Sequence, residues 1–557
     1  MFLSDSERLQ YRLEPTPEVI QSAWNTIAGH ESAIGDLEDR IQGLLNQVRD
    51  LRYDQAKHRA AIERCKGLVT LARRLPEELL IKIFEHCVED GWTRAPVVVS
   101  HVCSAWRKAA HAPKVWSHVY ANGDDPKALE RTRFWLERAK GANLHVTVVA
   151  TWRIPTRPIM ELMAILVERS AQWRSLKIET DSLHHADIIL AECTKPTPEL
   201  RSVDIRTAAL DAQDSDGVSD LTRLADKFNA DFAPRLTSAS YVSTIVPAVP
   251  IFPTHLTNLV LEVKESPSHR PLSAEAIIGV LERLPELRAL SLSMPLMYEH
   301  EFVAEVDPDR VVSLPMLDTL TLYGPTDLNE ILTRIQAPAL RELYLRSLED
   351  LGYRQRPIGP SLARFIEIST PPLRLLELHD IDLDPETFEA CFAALPGLRE
   401  LRLHESSISD ATVQLLNGPR GLCPRLTRLD LRWCGHLRGR ALVDLVQSRH
   451  VVDDLTGPVA DPIEEIGVIN CCFVTEDDVL DLARMTVCRL VTREVDDYCR
   501  KSAQCVRFDD VEMTVTGPGP VIVGTCGCCA NQRYRTRLRM QHVSELIHRK
   551  AGIRLVL

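Results

Sequence analysis

Cys526, Cys528 and Cys529, with Cys499, Cys505, His542 and His548 near them in the chain, form the one group whose types and spacing could hold a metal. Structural zinc is usually bound by paired ligands two to four residues apart on two separate knuckles. Here a single crowded knuckle stands alone, which favours ordinary thiols, and no metal or other cofactor is expected. The run Asp211 to Gly217 has the carboxylate spacing of part of a calcium loop, but Ala212 stands at the first ligand position and Arg223 at the closing one. A solvated loop is the expectation. Arg533, Arg535, Arg537 and Arg539 alternate as on one strand face and fit a charge-protected edge strand better than an anion site. The sequence contains no Gly-x-Ser-x-Gly elbow, phosphate loop, dinucleotide fingerprint after a strand, or His-Glu-x-x-His pair. It reads as a protein that is not an enzyme.

With that chemistry set aside, the elements themselves become the argument. A chain of 557 residues exceeds one compact core, so several units or one elongated solenoid are expected. A net charge of -12 and a pI near 5.9 argue against binding nucleic acid or an anionic membrane. The first residues hold no apolar signal core, and Tyr241 to Phe252, the nearest approach to a membrane-length run, carries two prolines. Fifteen cysteines without an export signal suit free thiols in a reducing compartment, which points to cytoplasm or nucleus.

Between Leu75 and Trp116 two apolar stripes follow one another. Leu79, Leu80, Ile83, Phe84 and Cys87 recur at helical intervals after Leu75-Pro76, and proline at a helix start forfeits no hydrogen bond. A polar insert from His86 to Arg94 leads to a second stripe of Val98, Val99, Val102, Cys103, Trp106 and Ala110, closed by Pro113, Val115 and Trp116. Some forty residues cannot bury that much apolar surface alone. The order Leu75-Pro76-x-Glu78-Leu79-Leu80-x-x-Ile83-Phe84, then Val102-Cys103-x-x-Trp106-Arg107, resembles an F-box; the plainer reading is a small helical subdomain that caps the C-terminal part of the chain. The resemblance implies docking to the Skp adaptor, and through it to cullin, by Leu75, Pro76, Leu79, Leu80, Ile83, Phe84, Val102, Cys103, Trp106, Val115 and Trp116.

Ahead of this segment, Ile27, Ile34, Ile41, Val48 and Ile62 lie on one seven-residue series and Leu37, Leu44 and Leu51 on another, offset by three. That is a heptad seam. Ile or Val at a with Leu at d favours a parallel two-stranded coil, weakened by Gln55 at a and by His30 and His58 at d. A homodimer and a single long helix are equally consistent with it.

Behind the segment, Pro126 to Lys140 reads as a helix and Leu144 to Val148 as a strand. A unit of the form apolar-x-x-apolar-x-apolar then recurs, as in Leu200/Val203/Ile205, Leu287/Leu290/Leu292 and Leu398/Leu401/Leu403, with Leu236/Ala239/Tyr241 a degenerate copy. In most units a proline stands two residues before the first apolar position, for example Pro198, Pro285 and Pro396, where it stops a helix and sets the turn into a strand. No unit can bury both its strand face and its helix face, so the units must stack. The pattern resembles a leucine-rich-repeat solenoid, and Cys434 and Cys471 fall where such repeats place a residue that satisfies turn backbone. The expected fold is therefore α/β: a long coiled-coil-like helix (1–70), an all-α F-box (71–120), a leucine-rich-repeat solenoid (121–485) and a C-terminal cap of short strands and a helix (486–557). The combination is similar to F-box proteins common in mushroom-forming fungi.

The function this implies is substrate recognition for a cullin-RING (SCF-type) ubiquitin ligase; a stand-alone repeat scaffold is the alternative. Strand alternation turns the residues between the buried leucines to the opposite face. Tyr323, Tyr344, Arg346, His379, Arg402, His404 and Arg432 are the expected substrate-binding side chains, which would hold an unidentified protein partner, with acidic or phosphorylated segments favoured by the arginines.

Overall fold

The computed structural model describes residues 14–69, 74–151, 155–207, 228–243, 252–263, 274–293, 310–324, 331–346, 358–418, 421–450, 460–471, 473–489 and 555–556. The acidic run at Asp211, the Cys526 to Cys529 group with its neighbouring cysteines and histidines, the arginines from Arg533 to Arg539 and nearly all of the expected C-terminal cap lie outside them. Among the described residues no helix is long and apolar enough to cross a membrane, and no cluster could hold a metal. The chain divides into two compact units, one of Met1–His86 with Val97–Ala110, the other of Cys87–Pro96 with His111–Leu557.

The first unit is helical. Helix α1 (Pro17–Val69) starts with proline in its first turn and runs for 53 residues. Its heptad side chains are exposed along its length: Ile34 by 55%, Ile41 by 56% and Leu51 by 69%. Helix α2 (Glu77–Glu89) buries Leu80, Phe84 and Val88, spaced by four, on one face. The second apolar stripe does not form one helix. It breaks into α3 (Ala95–Ser100) and α4 (Ser104–Ala110), because the chain turns at His101–Cys103 and the Cys103 carbonyl accepts the Arg107 N–H at 2.8 Å to start α4.

The second unit is built on one fifteen-stranded parallel sheet. Its strands are β1 (His118–Asn122), β2 (Leu144–Ala150), β3 (Trp173–Thr180), β4 (Ser202–Thr207), β5 (Ser238–Ser243), β6 (Asn258–Val263), β7 (Ala289–Ser293), β9 (Thr319–Tyr323), β11 (Glu342–Arg346), β12 (Leu375–His379), β13 (Glu400–His404), β14 (Arg428–Arg432), β15 (Glu465–Ile469), β16 (Val487–Arg489) and β17 (Leu555–Val556). The two-residue strands β8 (Val312–Ser313) and β10 (Ile335–Gln336) pair separately. Each sheet strand lies beside the next main-sheet strand in the chain, an order consistent with a solenoid. It begins earlier than the repeat pattern starts, because Trp116, Val119 and Ala121 already make one apolar-x-x-apolar-x-apolar unit and all three are buried. It also continues past residue 485, through β16 and, beyond residues 490–554, β17.

Three devices hold the register. The leucines of each unit, such as Leu398, Leu401 and Leu403, are buried. Just before the strands, main-chain N–H groups bond the preceding repeat in an unbroken run, from Arg201 to Arg174, through Arg288, Arg341 and Arg399, to Glu464 on Thr427. Just after them, Asp380, Glu405, Trp433 and Asn470 all adopt positive φ of 53° to 57°, and the first three N–H groups extend the ladder by one bond to His404, Arg432 and Ile469. Left-handed backbone costs a non-glycine residue about 1 kcal/mol, which the added ladder bond helps to offset. The Cys434 and Cys471 thiols donate to the carbonyls of Leu403 (3.4 Å) and Leu431 (3.7 Å) of the preceding repeat, the role their position suggests.

Helices α5 (Ala128–Ala139), α6 (Thr156–Val167), α7 (Leu183–Glu192), α8 (Ala274–Leu281), α9 (Gly359–Ser369), α10 (Pro385–Ala393), α11 (Asp410–Gln414), α12 (Gly439–Arg449) and α13 (Glu476–Met485) pack on the leucine side, each neighbour on the next from α5 to α7 and from α9 to α13. Asp384, Ser409 and the Thr475–Asp478 capping box close the N-termini of α10, α11 and α13.

Candidate protein-interaction surfaces

The helical segment divides the expected docking residues by burial. Leu79, Ile83 and Val102 are exposed at 46%, 44% and 57%, as an interaction surface requires. Pro76 is also exposed, and its carbonyl accepts the N–H groups of Leu79 and Leu80 at 3.1 Å, opening α2. Leu75, Cys103 and Trp106 are half-buried. The Trp106 ring meets Phe84 at 5.1 Å between centroids, tilted by 58°, and so joins α4 to α2. Lys108 and Glu77 make a second link at 2.7 Å, in which the Glu77 carboxylate raises the Lys108 pKa.

Leu80 and Phe84 form the inner face of α2, so they shape the docking surface from beneath and do not line it. Val115 and Trp116 are likewise buried, in the second unit. Trp116 packs edge-on against Phe134 (5.7 Å) and Trp135 (5.0 Å) of α5, with the Arg138 guanidinium 5.2 Å from its ring. They open the solenoid core and are removed from the set that could touch an adaptor.

On the sheet the expected side chains form in-register rows across β9 to β14. One row is Tyr323, Arg346, His379, His404 and Arg432; the next is Thr321, Tyr344, Glu377, Arg402 and Asp430. All are part-exposed on the side away from the buried leucines. The sequence offered Arg402 and Arg432 as cations for an acidic segment, but each is already engaged. Arg402 binds Glu400 through Nε (2.6 Å) and Glu377 through Nη1 (3.1 Å), and Arg432 binds Asp430 through Nη2 (2.8 Å). His404 lies 3.7 Å from Asp430 and 4.0 Å from Glu377, while His379 meets Glu405 at 3.2 Å.

Burial pushes the Asp430 carboxyl up, but His404 and Arg432 outweigh it and hold its pKa down to about 2. Burial raises the Tyr344 phenol to about 12, helped by its hydrogen bond to Glu342 (3.1 Å). Arg346 differs from the other arginines of the wall: among the described residues it has no carboxylate partner, and its buried Nε has no hydrogen bond. Side chains taken singly do not reveal this charge-balanced network. Its signal was present, since Glu400-x-Arg402 and Asp430-x-Arg432 each put an acid and a base on one face two residues apart.

With the geometry of both surfaces described, comparison with known proteins bears on the first. Residues 72–122 match the F-box-like family. The helical segment is F-box-like. No curated protein sequence matches the chain. Among solved structures the chain is similar to a chain of the crystal structure of the Rad7 and Elc1 complex in yeast, at 14% identity and a TM-score of 0.35, covering 78% of this chain and 98% of that one. The F-box-like match includes β1, so the family segment and the first strand of the sheet share residues His118–Asn122.

Proposed function

We propose that this protein is a non-catalytic substrate-recognition subunit of an SCF-type ubiquitin ligase, acting in cytoplasm or nucleus. Its F-box-like segment docks a Skp-type adaptor, and through it cullin, while a leucine-rich-repeat solenoid holds a protein substrate. The observation that carries this reading is the F-box-like match at residues 72–122, on helices that keep Leu79, Ile83 and Val102 exposed. The transfer chemistry belongs to other chains; binding here raises the local concentration of substrate lysines near the conjugating enzyme. The wall that includes Arg346, Tyr344 and the paired Arg402 and Arg432 presents matched charges, which suits a folded surface of mixed polarity better than a uniformly acidic segment.

Pull-down of the full chain is the test. Leu79→Ala with Ile83→Ala removes exposed side chains from a folded helix, so adaptor and cullin recovery should fall at least tenfold with helicity unchanged. Undiminished recovery of both, or capture of neither by the unaltered protein, overturns the reading.

A further inference from the structure

Helix α1 carries an apolar seam that the described chain leaves uncovered, and its charges say what covers it. From Pro17 to Gly43 the helix has five carboxylates (Glu18, Glu31, Asp36, Glu38, Asp39) against Arg40 alone. From Leu44 to Val69 it has six cations (Arg49, Arg52, Lys57, Arg59, Arg64, Lys66) against Asp50, Asp54 and Glu63. Among the described residues, the helix pairs only Arg49 with Asp50 and Glu63 with Lys66 internally, so Glu31, Glu38, Arg52 and Arg59 are left for another chain. Two copies side by side in the same direction would set acidic half against acidic half. Head to tail, each half meets its opposite.

We propose that α1 pairs with α1 of a second copy of this protein as an antiparallel two-stranded coil, centred between Leu45 and Gln47. In an antiparallel coil each a residue faces a d residue, and e meets e while g meets g. In this register Val48 faces the partner's Leu44 and Ile41 faces the partner's Leu51. Along the flanks Glu31 meets the partner's Arg59, Glu38 the partner's Arg52 and Arg40 the partner's Asp54. Each contact occurs twice by symmetry.

Leu45 supplies a second, independent reason. It lies off both heptad series, at an e position where coils usually carry charge, yet it is a leucine, 56% exposed. In the antiparallel register it falls at the two-fold axis and meets its own copy. A parallel coil puts it beside the partner's Arg40, stacks His30 on His30 and His58 on His58, and leaves Asp54 with Arg59 as the only complementary flank pair. The β-branched a series that favours parallel pairing is therefore opposed by the whole flank pattern.

Light scattering on the full chain should give about twice 62.7 kDa at micromolar concentration. A monomer overturns the proposal, and so does assembly only with a different protein. Orientation is read by oxidative cross-linking in a Cys65→Ser background: Leu45→Cys should cross-link to itself and Leu51→Cys should not, and the reverse result overturns the antiparallel register. A charge swap guards against variants that merely misfold. Glu31→Lys with Glu38→Lys should weaken dimerisation about thirtyfold, and adding Arg52→Glu with Arg59→Glu to the same chain should restore it. Failure of that restoration, with helicity retained, excludes this pairing.

Discussion

Arg449 shows how a single side chain closes a repeat. At the C-terminus of α12 it is buried, and its guanidinium donates to the carbonyls of Leu416 (Nη2, 2.8 Å), Leu422 (2.9 Å), Cys423 (Nη1, 3.2 Å) and Leu426 (3.3 Å). It organises the connection between α11 and β14 as a planar fork can and an ammonium cannot. Arg449→Met should cost about 3 kcal/mol in denaturant unfolding, because several buried carbonyls lose their donor, and Arg449→Lys should recover little of it. Asp430 answers to pH. Its folded pKa, about 2, lies below the ordinary 3.8, so its contribution is complete above about pH 4 and is lost as pH falls through about 2. Asp430→Asn should lower stability at pH 7 by about 2 kcal/mol and flatten the acid-unfolding curve between pH 4 and pH 2. At this scale residue type and face are legible in the sequence and pairing only in part: the Glu400–Arg402 and Asp430–Arg432 pairs lie two residues apart on one strand, whereas the Arg402–Glu377 contact depends on register between strands twenty-five residues apart.

Among elements, β1 and β2 carry a titratable contact of their own. The His118 and His145 rings stack at 4.4 Å and 6° on paired positions of the two strands, and His145 Nδ1 lies 2.8 Å from the Ser175 hydroxyl. Burial, reinforced by His145, lowers the His118 pKa to about 4, and burial, reinforced by Arg174, lowers that of His145. Facing groups include Glu89, whose charge opposes the shift in both rings without reversing it. A histidine held neutral in the fold stabilises it fully above pH 6.5 and loses that contribution as pH falls through about 4. Thermal unfolding should therefore show about 2 kcal/mol less stability at pH 5 than at pH 7 from His118 alone, and His118→Phe should remove that part of the pH dependence. The element boundaries that periodicity missed share a cause. Apolar spacing runs unbroken through Val98 to Trp106 although the backbone turns at His101–Cys103, and Trp116/Val119/Ala121 belongs at once to the F-box-like pattern and to the first repeat. The seam of α1 was legible from a and d alone; its direction required the flanks.

At the scale of the molecule, the repeat strands were the most legible feature, because burial at the first, fourth and sixth residues of each unit leaves no other regular backbone. What the pattern could not supply was the end of the sheet, because β17 is separated in the chain by residues 490–554 from the strand it pairs with. The strand order has an implication for synthesis. From β1 to β16 every main-sheet strand lies against the one made just before it, so each repeat can dock on a finished neighbour as it leaves the ribosome, without waiting for distant sequence. Strand β17 follows the same order but joins β16 only after residues 490–554 have been made, the longest interval between paired described strands. Until then no other described strand pairs with that side of Val487–Arg489, and a nascent chain stalled there would offer a template for mispairing with its neighbours on the same message.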